Sequence, residues 1–95
     1  MNEDTFVYIE KEAVANLHFP QEEILNKKDL ITLRNKEIER GISLGNIEHY
    51  KVKIYFADDT SEKVVHTTIW AVTDQAILLK QNVVIPTHRI IKLEI

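Results

Sequence analysis

No cysteine occurs in the 95 residues, and glycine and proline occur twice each. The first absence excludes disulfides and thiolate metal sites and fits a reducing compartment. The second leaves no material for flexible linkers or low-complexity tracts, and no internal repeat is present. No apolar run approaches the roughly 20 residues of a membrane helix. The opening Met1-Asn2-Glu3-Asp4 is acidic and no long apolar run follows it, so no signal peptide is predicted and a cytoplasmic location is expected. Positive charge is also scarce. Lys and Arg number 12 against 15 Asp and Glu, a net charge of −3, which weighs against a phosphate-backbone binder dependent on clustered cations.

What the chain does have is a dense β-forming half. One domain is expected at this length, burying roughly 60–65% of its unfolded surface, enough for one core. Residues 50–95 read as a run of hairpins centred on Val64-Val65-His66-Thr67-Thr68-Ile69-Trp70-Ala71-Val72. β-Branched and aromatic residues at this density fit a pleated, half-buried surface.

The first half reads differently. Thr5 to Ile9 has strand-like composition, and Lys11 to Leu17 favours helix. Pro20, with Glu22 and Glu23 after it, predicts a short helix to about Lys28. Asp29 can cap the next helix. Helical periodicity from Leu30 to Leu44 gathers Leu30, Ile31, Leu33, Ile38, Gly41, Ile42 and Leu44 on one face, with Arg34 and Glu37 intruding and close enough to pair. Gly41 in that arc predicts close approach to a sheet, and Gly45-Asn46 a left-handed stop.

Beyond Asn46 the period becomes two. A turn at Asp59-Thr60 sets Ile54 opposite Val65, Val52 opposite Thr67 and Tyr50 opposite Ile69. The other face then pairs Lys53 with His66, Lys51 with Thr68 and His49 with Trp70. A turn at Asp74-Gln75 sets Trp70 across from Leu79, and Gln81-Asn82 is the third turn. Pro86 ends a strand, Thr87-His88-Arg89 makes one tight turn, and residues 90–95 return as a fifth strand. The second strand is apolar on both faces, which a bend between two walls explains, as does a covering helix. The expected fold is α+β: a mostly helical arm (1–46) followed by a five-stranded antiparallel small β-barrel of SH3-like or Sm-like order (47–95), one domain in all.

Chemistry-bearing residues are thin. His18, His49, His66 and His88 are too far apart for a compact zinc motif. No nucleophile elbow and no Gly-rich phosphate loop is present, and Asp58-Asp59 at a hairpin tip has no pocket to shift a pKa. No enzyme activity, metal or cofactor is expected. The constellation that stands out is Lys53, Tyr55, His66 and Trp70, aromatic beside cationic side chains that can stack bases or anchor a protein partner. If helix 30–44 covers that face, Trp70 is core instead. His88 and Arg89, before the fifth strand, are a second candidate.

At Leu44-Gly45-Asn46-Ile47-Glu48-His49, Lys51-Val52-Lys53-Ile54-Tyr55-Phe56, Thr67 to Thr73 and Ile85-Pro86-Thr87-His88-Arg89-Ile90, the chain resembles a family of short bacterial proteins without an assigned function. The resemblance spans most of residues 29–95 and implies a cytoplasmic bacterial protein. The order of helix, strand, acidic hairpin and further strands is also similar to the Rho-binding antiterminator (Rof) family. That likeness of layout implies a small acidic barrel that binds the termination factor Rho. The paired Gly-containing Sm motifs are absent. The expected role is thus a non-enzymatic interaction module acting on a protein of the gene-expression machinery. The alternative is single-stranded nucleic-acid binding through Tyr55, Trp70, Lys51, Lys53 and Arg89, and a homo-oligomer through the edge of the fifth strand, ending at Ile95, is a third reading.

Overall fold

The computed structural model describes residues 6–95, and for 46–48 the backbone alone. Thr5, the expected start of the first strand, lies outside the described residues. Strand β1 (Val7–Tyr8) and helix α1 (Lys11–Val14) open the chain. The long helix α2 (Lys28–Glu48) follows, and then six strands: β2 (Val52–Ala57), β3 (Glu62–Thr67), β4 (Ile69–Val72), β5 (Ala76–Leu79), β6 (Val83–Pro86) and β7 (Ile90–Glu94). They form two sheets, of order β1-β3-β2-β7 and β4-β5-β6.

The predicted second strand is one stretch bent at Thr68, so that β3 belongs to one sheet and β4 to the other. This bend answers why both of its faces are apolar. Among the described residues, no ladder joins β6 to β7 or otherwise closes the sheets. The α+β class stands, but in place of five antiparallel strands in a closed barrel the described residues form seven strands in two open sheets, with β1 parallel to β3.

The core lies between the sheets, built from Val52, Ile54 and Phe56 of β2, Val65 of β3, Ile69 of β4, and Ile77, Leu79, Val83, Ile85, Ile90 and Leu93 beyond. Two pieces of the first half seal it. Val14 of α1 enters from one side and Phe19 packs on Phe56, ring centroids 5.9 Å apart. Helix α2 enters from the other, placing Ile38 and Ile42 against the core.

Register follows the alternation closely. Val52 faces Thr67, Lys53 faces His66 and Ile54 faces Val65, with the Asp58 N–H donating to the Ser61 carbonyl across the Asp59-Thr60 turn (3.2 Å). The expected pairs Tyr50–Ile69, Lys51–Thr68 and His49–Trp70 do not form, because the ladder stops at Val52–Thr67, where the strand bends. Gln81 and Asn82 both adopt positive φ, 66° and 62°, as the twist of a tight hairpin requires.

Three features of the first half depart from expectation. Residues 20–28 form no helix before Lys28. Their backbone is held by tertiary contacts instead: the Ile24 N–H donates to the His88 carbonyl (2.8 Å) and Arg89 donates to the Glu22 carbonyl (2.9 Å). Asp29 lies inside the first turn of α2, and α2 runs through Gly45-Asn46 to Glu48. It stops at His49, whose φ of 54° lets its N–H reach the Gly45 carbonyl (3.1 Å), the left-handed ending common to helices.

The buried stripe of α2 is also rotated from the predicted arc. It runs through Arg34, Ile38, Gly41 and Gly45, whereas Leu30 and Leu33 are exposed. Arg34 does not pair with Glu37. Its guanidinium grips Glu23 through two bonds (2.7 and 2.9 Å) and donates to the Ile90 carbonyl (3.2 Å), while the Glu37 carboxylate accepts the Leu93 N–H (3.2 Å). These two α2 side chains occupy backbone groups of β7. That leaves less of the strand for the edge-to-edge pairing considered above.

Candidate functional site

Trp70 sits at a break in the β4–β5 ladder. Between Ile69, which faces Leu79, and Ala71, which faces Leu78, Trp70 has no partner on β5. It is the extra residue of a β-bulge, a device that re-aims a side chain. In the unbulged register Trp70 would face Leu79, a core residue; the bulge gives that place to Ile69 and leaves Trp70 52% exposed. Helix α2 touches the bulge at the Ile69 backbone and leaves the indole uncovered. The reading of Trp70 as core is therefore overturned.

The bulge is seated against α2. A Cβ added at Gly45 would lie 2.5 Å from the Ile69 carbonyl oxygen, a backbone atom. At Gly41 it would meet side-chain ends, those of Ile69 and Leu93 at 3.0 Å and of Val52 at 4.0 Å. Gly45 thus lets the helix touch the bulge itself. Gly45→Ala is expected to cost roughly 1–3 kcal/mol by overpacking, offset by about 1 kcal/mol of helix propensity. It should also shift Trp70 emission. Gly41→Ala should do less of both, since side chains can give way; urea melts of the two variants, read by Trp70 fluorescence, check the order.

Around Trp70 lies a groove of about 580 Å³. Its floor is Ile9, Val65, Thr67 and Thr68. Its walls are Glu10 and Lys11 at the start of α1, His49 and Lys51 before β2, His66 on β3, and Lys80 after β5. The Thr68 hydroxyl donates to the His49 carbonyl (3.1 Å), tying the end of α2 to the strand bend. Three lysines and one glutamate line the groove, a positive surface on a chain of net charge −3. Lys11 is bonded to Glu12 (2.7 Å); among the described residues Lys51 and Lys80 have no ion-pair partner.

The other sequence candidates divide. Lys53 and Tyr55 sit on the same outer face of β2 as His66 does on β3, but they are engaged there. The Lys53 ammonium is 6.0 Å from the Tyr8 ring centre and 3.6 Å from Glu94; Tyr8 first, then Glu94, raises its pKa above the ordinary value. Tyr55 is buried, edge-on to Phe6 at 4.8 Å, under the Lys92 ammonium at 4.7 Å, its hydroxyl donating to Glu94 (3.3 Å). It offers no ring to a partner. Arg89 is buried too, donating to the carbonyls of Ala57 (3.1 Å), Glu22 (2.9 Å) and Asp58 (3.4 Å), so it holds the 20–28 segment onto the sheets. His88 is half-buried, its Nε2 3.0 Å from the Pro20 carbonyl oxygen. Of the six candidates, His66 and Trp70 share the groove. Sequence reasoning named Lys51 only for the nucleic-acid alternative, left His49 as a strand residue, and missed Lys11 and Lys80, which come from distant stretches that only the fold brings together.

A larger cleft, about 920 Å³, lies between α2, the β4–β5 hairpin and the turn at Thr87–Arg89. Its arginine, Arg34, is already held by Glu23, and Glu39 and Asp74 are its other charged groups. His88 also lines it. Its size exceeds that of the Trp70 groove, but it has no exposed aromatic and no unpaired cation.

Among the described residues, no group of three or more His, Asp or Glu side chains could hold a metal ion, and no helix is long and apolar enough to cross a membrane. No protein-family model, curated protein or solved structure matches this chain.

Proposed function

We propose that the chain is a non-enzymatic interaction module and that the groove around Trp70 is its working surface. The observation that carries this reading is the bulge: a large aromatic that regular pairing would bury is turned outward, into a ring of cations on an acidic chain. Exposed aromatics beside basic groups are the usual anchors of macromolecular contact. The strand β3–β4 shared by two sheets, and the single-turn link before β7, support an open scaffold with the strand succession of SH3-like domains. A role in gene expression, through a protein or a nucleic acid with an anionic surface, fits the charge of the groove.

The test is retention. Immobilised full-length chain is compared with Trp70→Ala and with Val84→Ala, an exposed apolar position on the second sheet, using bacterial lysate before and after nuclease treatment. Retention of a defined partner that is lost with Trp70→Ala and kept with Val84→Ala supports the groove. Equal retention by all three proteins removes it.

A further inference from the structure

We infer that the Trp70 groove takes single-stranded nucleic acid, one unpaired base stacking on the indole and the flanking phosphates meeting Lys51 and Lys80. This rests on the reading of the groove as the working surface and names its ligand class.

The ring comes first. Trp70 is the sole tryptophan, 52% exposed, and held out by a bulge seated on Gly45. A flat aromatic in water among cations accepts any base, because every base has a π-face. The cations come second. Lys51 and Lys80 are exposed and without an ion-pair partner among the described residues, whereas Lys53, Lys63 and Arg34 sit against Glu94, Asp58 and Glu23. Residue type separates phosphate from protein as the partner: lysine is depleted at the cores of protein–protein interfaces but supplies the counter-charge for phosphates. A duplex offers Trp70 no free base face, so single strands are favoured.

The experiment is a titration of the full-length chain, followed through Trp70 fluorescence, with short oligo(dT) and oligo(U), a duplex of equal length and polyglutamate. Oligonucleotides should quench Trp70, and the duplex should quench it less. Two lysines on phosphates, Lys51 and Lys80, give a slope of about −1.4 for log affinity against log salt, at ~0.7 per contact. Replacing Lys51 and Lys80 together (K51E with K80E), both exposed and so harmless to folding, should remove most of that slope. Trp70→Ala, followed by anisotropy of a labelled oligonucleotide, should weaken binding roughly 5- to 150-fold, and Trp70→Phe should restore part of it.

Polyglutamate binding as strongly as the oligonucleotides, or no oligonucleotide binding at low salt, overturns the inference. If nuclease-treated lysate still yields a partner lost with Trp70→Ala, the groove stands and only the ligand class falls. Oligonucleotide binding indifferent to Trp70, Lys51 and Lys80 overturns both readings.

Discussion

Asp58→Ala is expected to lower stability by about 3–5 kcal/mol, the loss seen when one partner of a buried ion pair is removed. Asp58 and Lys63 are both buried, Nζ to Oδ1 2.9 Å. The same oxygen accepts the N–H groups of Thr60 (3.1 Å) and Ser61 (2.9 Å), so one carboxylate ties the β2–β3 turn together. Alanine leaves the ammonium with only the hydroxyls of Ser61 (2.7 Å) and Thr60 (3.3 Å). In a domain of this size each kcal/mol moves Tm by roughly 4–8 °C, so thermal unfolding reads the effect directly. A loss below about 1 kcal/mol would mean the turn holds without its carboxylate.

This pair also sets the acid limit. Burial acts to raise the Asp58 carboxyl, but the Ser61 N–H, the Lys63 ammonium and the Thr60 donors outweigh it and bring the pKa from 3.8 to about 2. Because the folded value is depressed, the contribution is fully present above about pH 4 and disappears as pH falls through about 2. That shift is worth about 2 kcal/mol. Asp58→Asn, similar in shape but uncharged, should trail the parent above pH 4 and converge on it near pH 2. A constant gap between the two melting curves across that window contradicts the assignment.

Glu23→Ala is expected to cost less, about 1–3 kcal/mol, because Glu23 is itself partly exposed and Arg34 keeps its bond to the Ile90 carbonyl. Arg34 is 3% exposed, and Glu23 is the carboxylate that holds its guanidinium. Burial pushes the Glu23 carboxyl up, but Arg34, followed by the Leu25 N–H, holds it below the ordinary value. Removing the carboxylate strands a buried charge, whereas removing both charges with apolar groups of similar size does not. Glu23→Leu combined with Arg34→Met should therefore recover most of the loss. Urea melts that show the double variant no better than Glu23→Ala would contradict a stranded charge as the cause of the loss.

Arg34 also shows where the sequence was hard to read. Periodicity located the helix but misplaced its buried face, because hydrophobicity treats an arginine in the apolar arc as an intruder, and here its partner is eleven residues upstream in an irregular segment. That segment was read as helix from Pro20, Glu22 and Glu23. Its backbone follows Arg89 and His88 instead, bonds that span nearly seventy positions and leave no local trace. The hairpin registers were legible since alternation and turn chemistry are local. The bulge was not: Ile69-Trp70-Ala71 alternates no differently from a regular strand, and what seats it is Gly45, which local propensity makes a helix stop. His66 and Trp70 could be named from the sequence, but the lysines that give the groove its charge required the fold.

One measurement tests the central claim, that the lone Trp70 stands in water within a positive groove: collisional quenching of its fluorescence by iodide and by caesium ion. Emission should lie at the solvent-exposed end of the range, with quenching by iodide well above that by caesium. The difference should shrink when Lys51 and Lys80 are both replaced by glutamate. Emission typical of a buried indole, indifferent to both ions, would contradict it.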